Sequence, residues 1–297
     1  MNDNSMNDKK YLCIYHGNCM DGFTAAWVVR KCYGEENVEF YPGVYQTPPP
    51  DCKGRDVIIV DFSYKLPIME KILDECASLV VLDHHKTAIE DLTILFAHMG
   101  VRGEFDMNRS GAMIAWDWYY PNVTPPKFIS YVQDRDLWKF ELPNTREIVA
   151  AIFSYEYDFN TWDELVLQCE GELGLSRLVT EGTAIERKHF KDINELLKIV
   201  TFKVNLEGNE VLLANLPYTM TSDASAILAK KSLSGIGGCF WDTVNYREFS
   251  LRSNKEDNGP DVGEIAFKLG GGGHKHAAGF KLIWTNSKIV ELFPQLY

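Results

Sequence analysis

The hydrophobic pattern of this chain is clearest in its apolar runs and in what stops them. Val57-Ile58-Ile59-Val60 and Leu79-Val80-Val81-Leu82 are short, unbroken and rich in β-branched residues. That is the pattern of strands buried on both faces of a parallel sheet. The first run, within residues 55–64, ends at Asp61, and the second, starting at Ser78, ends at Asp83-His84-His85-Lys86. Residues 11–15 read as a strand that ends in His16-Gly17-Asn18-Cys19-Met20-Asp21-Gly22, followed by helical spacing of Ala25, Ala26, Val28 and Val29. Residues 38–41 form a further short strand, the Pro-rich stretch 42–51 a loop, and residues 67–76 a helix with Pro67 in its first turn.

Farther on, Asn108-Arg109-Ser110-Gly111-Ala112 leads into a helix over 113–120, and residues 128–133 read as a helix that delivers Asp134-Arg135-Asp136. Trp116, Trp118, Tyr119 and Tyr120 have the spacing of core residues rather than of a base-stacking platform. Residues 145–200 show Leu, Val and Ile at helical spacing among Glu and Lys, the pattern of a connecting helical region. Paired strands follow over 201–206 and 210–216, around Gly208-Asn209. Then come a helix over 222–231, strands over 236–242 and 246–252, a helix over 262–269, a strand over 280–284 and a helix over 287–296. The segmentation predicts a tail over 1–10, an α/β domain over 11–144, the connector over 145–200 and a smaller mixed domain over 201–297.

Composition narrows the function. The chain has 297 residues, 45% of them hydrophobic, and a formal net charge of −12. An acidic surface argues against long nucleic acid held by nonspecific phosphate contacts, and no basic run with interleaved aromatics exists to track a long strand. Seven cysteines without paired spacing indicate a reducing compartment rather than a disulfide framework. No apolar run is long enough to span a bilayer, and the start carries no signal-peptide pattern. The expectation is a cytoplasmic protein.

The chemistry sits at the strand ends. Ligands in open α/β sheets bind outside the carboxyl ends of the strands, and there the chain places His16, Asp21, Asp61, Asp83, His84 and His85. Imidazole and carboxylate together suit first-row divalent metals. Capping of the following helix is the lesser alternative for Asp61. Asp134 and Asp136 suit ligation, and they also suit an exposed turn paired with Arg135. A second signal is Gly270-Gly271-Gly272-Gly273-His274-Lys275-His276. Four consecutive glycines carry a large entropic cost, and backbone N–H groups bared by missing side chains can cradle phosphate oxygens. Arg252, on a neighbouring strand, adds a forked donor suited to phosphate.

Assembled, these motifs resemble the DHH phosphoesterase superfamily in its DHH–DHHA1 branch, over nearly the whole chain. Asp83-His84-His85 matches the name-giving motif, His16 to Gly22 the first motif, Asp61 the second and Asp134 the fourth. Gly271-Gly272-Gly273-His274 with Ala277-Ala278-Gly279 matches the DHHA1 signature, and Ser250-Leu251-Arg252-Ser253 its accompanying arginine strand. The first motif departs from the family pattern, because Cys19 or Asn18 stands where a first Asp belongs.

The resemblance implies a parallel-sheet DHH domain, a helical connector and a smaller DHHA1 domain, with the active site in the cleft between them. It implies phosphoester hydrolysis with one or two Mn²⁺ or Mg²⁺ ions. His16, Asp21, Asp61, His84 and Asp134 would be the ligands, with Asp61 bridging. Asp83 would orient His84, and His85 would face the substrate. Arg109, Arg252, Ser253, Gly271, Gly272, Gly273 and His274 would bind the substrate. The acidic surface and the lack of an added binding domain favour linear dinucleotides or very short 5′-phosphorylated oligoribonucleotides as in nanoRNases. Partners would be that substrate and, for assembly, a second copy of the chain, with no long nucleic acid and no membrane. The alternatives are a phosphatase of 3′-phosphoadenosine 5′-phosphate and a nucleotide-binding sensor with little catalysis.

Overall fold

The computed structural model describes residues 10–98, 101–254 and 259–292. All but the last residue of the tail expected over 1–10, and the end of the helix expected over 287–296, lie outside the described residues. The chain divides into two compact units, residues 1–186 and 187–297.

The first unit is built on five parallel strands, β1 (Tyr11–His16), β2 (Val38–Gly43), β3 (Asp56–Val60), β4 (Ser78–Asp83) and β5 (Arg102–Phe105), in the order β2-β1-β3-β4-β5. Successive side chains of a strand point to opposite faces, and here both faces are apolar. Cys13, Ile58, Val60 and Leu82 face one core, while Leu12, Ile14, Val57, Ile59, Leu79 and Val81 face another. The first core is covered by α1 (Met20–Tyr33), α4 (Gly111–Tyr119), α5 (Lys127–Asp136), α6 (Thr145–Phe153) and α7 (Phe159–Glu170). The second is covered by α2 (Leu66–Glu75) and α3 (Lys86–His98). The unbroken apolar runs therefore report a sheet shielded on both sides. Strand order reverses between β1 and β3, since β2 lies on one side of β1 and the later strands on the other. A reversal of this kind opens the crevice in which doubly wound sheets bind ligands.

The α/β class read from the sequence holds. The pattern gave no sign of β5, because Arg102-Gly103-Glu104-Phe105 is short, polar and at the edge. A side chain on Gly103 would meet the Val81 carbonyl oxygen at 2.0 Å.

The second unit carries a six-stranded mixed sheet. Its strands are β6 (Thr201–Leu206), β7 (Asn209–Asn215), β8 (Ile236–Asp242), β9 (Tyr246–Ser253), β10 (Gly272–His274) and β11 (Ala277–Ile283), in the order β10-β11-β9-β8-β7-β6. Only the β7–β8 pair is parallel. Helix α9 (Thr221–Lys231) packs one face, and α10 (Val262–Lys268) with α11 (Ser287–Leu292) packs the other. The glycine run is thus in part a strand. A Cβ on Gly271 would lie 2.0 Å from the Gly279 carbonyl oxygen, and one on Gly273 2.5 Å from that of Ala277. Close hairpin packing, not only a ligand, demands glycine there. The boundary between the units falls within α8 (Glu172–Val200). No helix among the described residues is long and apolar enough to cross a membrane.

Where α8 crosses α6, Gly182 lies so close that a Cβ would sit 1.6 Å from the Glu147 carbonyl oxygen. The contact is with rigid backbone, so Gly182→Ala must push the helices apart. The expected outcome is a loss of about 1–3 kcal/mol, as for other overpacked sites, measured as a lower midpoint of urea unfolding.

Candidate metal centre

The ends of β1, β3 and β4 converge at the strand-order reversal. Asp61, the first residue after β3, is 1% exposed and adopts a left-handed backbone with φ 53°. A non-glycine residue there is strained, and the turn aims the carboxylate back across the sheet end. The geometry requires glycine opposite, because a Cβ on Gly111 would lie 2.4 Å from the Asp61 Cβ. Gly22 answers the same need beside His16, whose carbonyl oxygen a Cβ would approach to 2.4 Å.

Around Asp61 the acids and imidazoles gather. His16 Nδ1 is 3.4 Å from Asp61 Oδ2, and His84 Nε2 is 3.0 Å from Asp61 Oδ1. His84 Nε2 also lies 3.9 Å from Asp21 Oδ2 and 3.6 Å from Asp136 Oδ2. Two three-residue groups result from first-unit residues alone, His16–Asp61–His85 and Asp21–His84–Asp136, each with ligand atoms within 4.8 Å of one another. Neither Asp61 oxygen accepts a hydrogen bond, nor does His16 Nδ1 have a hydrogen-bond partner, although all three atoms are buried. Buried carboxylate oxygens left this way are costly. Buried donor atoms gathered within 4.8 Å of one another fit a divalent cation, and imidazole with carboxylate is a donor set suited to Mn²⁺, Mg²⁺ or a neighbouring first-row ion.

The proton equilibria reflect the crowding. Burial raises the Asp61 pKa, but the imidazoles of His16 and His84 outweigh it and hold the carboxyl well below the usual range. Burial, with Asp61 and Asp136 alongside, pushes Asp21 well up. Burial also raises Asp136. The His84 ring is disfavoured as a cation by burial, yet Asp136, Asp61 and Asp21 around it push its pKa up to about 10. One imidazole is thus drawn into holding positive charge among three acids, the place a metal ion fills by displacing the proton.

The name-giving motif has a division of labour. Asp83 accepts from Ser63 Oγ at 2.6 Å on one oxygen. Its other oxygen accepts the backbone N–H of His84 at 2.7 Å and of His85 at 3.2 Å, and lies 2.7 Å from His85 Nδ1. The expectation that Asp83 orients the His84 ring is therefore corrected. It orients the ring of His85 and grips only the backbone of His84.

Asp21 accepts the N–H of Gly111 at 2.6 Å and of Ala112 at 3.1 Å, at the start of α4, while its Oδ2 also faces His84. It ties α1 to α4 as well as joining the cluster. Cys19 stands at the N-terminus of the same helix, and burial together with the charges of Asp61, Asp136 and Asp21 pushes its thiol well up.

Two further expectations are corrected. Asp134 is not in the cluster. Its carboxylate accepts the N–H of Glu141 at 2.9 Å and of Leu142 at 3.0 Å, and the Thr145 hydroxyl at 2.5 Å. Asp136 takes the place beside His84. Residues two apart on a helix point about 200° apart, by the pitch of the helix, so only one of the pair could reach. Arg109, expected to bind substrate, is enclosed by Glu104, by Asp106 at 2.8 Å and by Asp117 at 2.7 Å. It knots the loop before α4. Tyr45 was missed by the sequence reading; its ring lies 5.5 Å from that of His16 and 6.2 Å from that of His85. Its Pro-rich loop gave no signal.

In the second unit, strand register aligns residues far apart in the chain. Arg252 pairs with Ala277, and Ala277 with His274. Directly paired residues share a face, so Arg252 and His274 flank one alanine. The next row on that face is Ser250, Gly279 and Gly272. The result is a floor of small residues with an arginine and a histidine at one end. Ser222, in the first turn of α9, accepts from Arg252 at 2.9 Å. Ser253 and Gly273 do not share that face, because strand alternation turns them away. The Ser253 hydroxyl is 2.8 Å from His276 Nδ1 instead.

No protein-family model matches the chain. Uncharacterized protein R106 of Acanthamoeba polyphaga mimivirus is 30% identical over 294 residues, covering 92% of this chain and 67% of that one. Among solved structures, the DHH domain of a member of the s1p family of ribosomal proteins superposes with a TM-score of 0.57 at 13% identity, over 97% of this chain and 86% of that one. RecJ of Thermus thermophilus in complex with Mn²⁺ gives a TM-score of 0.49 at 12% identity, over 97% and 51%. The chain has the DHH fold.

Asp134→Asn should lower the thermal midpoint, since hydrogen bonds to a charged group contribute about 1.5–3 kcal/mol each, and should leave Mn²⁺ affinity within a few-fold. Asp136→Asn should do the reverse, weakening Mn²⁺ binding at least tenfold by calorimetry with little change in melting. A second outcome concerns pH. The folded pKa of His84 lies above its ordinary value of 6.5, so in chelator-treated protein its contribution to stability is complete below that value and is lost as pH rises through about 10. Melting temperature measured from pH 6.5 to 10 should fall more steeply for the wild type than for His84→Gln.

Proposed function

We propose, from the premise that this chain belongs to the same family as the mimivirus protein and has the DHH fold, that it is a metal-dependent phosphodiesterase. Its substrates would be linear dinucleotides or very short oligoribonucleotides, released as mononucleotides. The observation that carries this reading is Asp61, a buried carboxylate with no hydrogen bond, standing between two groups of ligands.

His16 and Asp61 would hold one divalent ion, and Asp21, His84 and Asp136 a second, with Asp61 facing both. Mn²⁺ or Mg²⁺ bound there supplies positive charge against the phosphoryl oxygens and lowers the pKa of water. The chain's own residues do the rest. Asp83, braced by Ser63, takes His85 Nδ1 and leaves Nε2 as the ring nitrogen for a phosphoryl oxygen or for a proton on its way to the leaving group. The left-handed turn at Asp61 and the glycines behind it fix the donors before substrate arrives, so little reorganisation is needed in the transition state. In the second unit, the Arg252–Ala277–His274 row with its small-residue floor suits a terminal phosphate, gripped by a forked guanidinium. Gly272 lets a substrate come close to the backbone there.

The short-substrate reading is supported by the net charge of −12, which disfavours contacts spread along a polyanion. All seven cysteines are free thiols, which supports the cytoplasm as its compartment.

Purified protein with Mn²⁺ and 5′-phosphorylated RNA of two to twenty nucleotides should cleave the shortest members fastest, by at least about tenfold. A chelator should abolish the activity, and Asp61→Ala should reduce it at least 10³-fold, the scale of losing a bound metal's contribution to catalysis. Equal rates at every length would remove the short-substrate claim. Phosphate release from 3′-phosphoadenosine 5′-phosphate without dinucleotide cleavage would replace it with a phosphomonoesterase.

A further inference from the structure

The loop that follows Asp136 is built in an unusual way. Between α5 and α6, three residues that are not glycine take left-handed backbone: Trp138 (φ 56°), Phe140 (φ 54°) and Asn144 (φ 59°). Large aromatic residues in that region are strained. Glycine would make the same turns at no steric cost, so the backbone does not ask for these rings. The apolar cores do not ask for them either, because neither ring belongs to a core cluster and both are half-buried.

What holds the loop is Asp134. Its carboxylate takes the Glu141, Leu142 and Thr145 donors, and its carbonyl oxygen accepts the N–H of Lys139 at 2.9 Å and of Phe140 at 3.4 Å. The rings are flanked by arginines. The Arg135 guanidinium lies 4.1 Å from the Trp138 ring centre, and that of Arg146 lies 3.9 Å from the Phe140 ring centre. The two rings meet edge to face at 5.2 Å. Arg146 also approaches Glu186 at 4.0 Å. In a chain of net charge −12, this is a local concentration of cation and π surface, the composition that binds nucleobases without reading their sequence. It begins two residues from Asp136, at most about 7 Å along the chain.

We propose that Trp138 and Phe140, braced by Arg135 and Arg146, form a platform on which a base of the substrate stacks. The site thereby selects ring-bearing nucleotides over base-free phosphoesters. This rests on the reading of the Asp61 cluster as a phosphoester site. The bound base covers the ring surface that the guanidinium groups leave uncovered, and the arginines supply charge near the sugar–phosphate. Stacking is indifferent to the identity of the base, so the platform accepts every base.

Binding tests this apart from catalysis. With Mn²⁺ present, calorimetry compares adenosine 5′-monophosphate with ribose 5-phosphate on the full chain. The wild type should prefer the nucleotide by at least about fivefold, the lower end of what stacking one base contributes. Trp138→Leu and Phe140→Leu should erase that preference while leaving ribose 5-phosphate unchanged, and Trp138→Phe should keep most of it. A wild type that binds no nucleotide or shows no preference overturns the proposal, as does a preference that survives both leucine variants. Equal loss of both ligands in the variants also overturns it, because the rings then only clasp the loop. Failure to hydrolyse dinucleotides would count against the catalytic reading while the nucleotide preference is measured independently.

Discussion

The first unit depends on one buried carboxylate that has been denied hydrogen bonds. Asp61 sits at the end of a central strand, in a backbone conformation that an ordinary residue avoids, with His16 and His84 beside it. In water such a group is satisfied by solvent; in this interior it is costly unless positive charge arrives. Its neighbours are arranged to make that arrival favourable. Glycines at 22 and 111 clear space for the turn and for His16, while Asp21 reaches from one helix to cap another. The strain is local and is held in place by a sheet packed on both faces.

The topology explains why these residues meet. Reversal of strand order between β1 and β3 leaves a crevice at their carboxyl ends. His16 ends β1, Asp61 follows β3, and His84 and His85 follow β4, so parallel strands carry side chains far apart in the chain to one edge. Asp136 comes from a helix that packs over the same edge. The Asp83 carboxylate, which accepts four hydrogen-bonding contacts from Ser63, His84 and His85, is the anchor that keeps the two histidines distinct in role.

The second unit shows that one sequence feature can have two physical causes. Its glycine run is needed by a hairpin in which backbones approach too closely for side chains. The same lack of side chains leaves a shallow floor beside Arg252 and His274. Packing alone accounts for Gly271 and Gly273, whereas the in-register row of Arg252, Ala277 and His274 has no role in the core.

The sequence by itself determined the elements whose information is local. Apolar runs marked β1, β3 and β4, and the polar residues that ended them marked the site, because in a parallel sheet the strand end and the ligand-bearing turn are contiguous in the chain. It also carried enough motif pattern to point to the DHH fold. What it left open depends on angles and partners. Asp134 and Asp136 are alike as residues, and only the rotation of α5 against its neighbours sends one to the loop and the other to His84. Arg109 looks like a phosphate ligand until three acids, from β5, from the loop after it and from α4, close around it. The edge strand β5, the Asp83–His85 pairing and the placing of Tyr45 likewise follow from contacts across the chain. Tertiary structure decided those because a charge takes its role from what surrounds it, and the surroundings are assembled only when the chain folds.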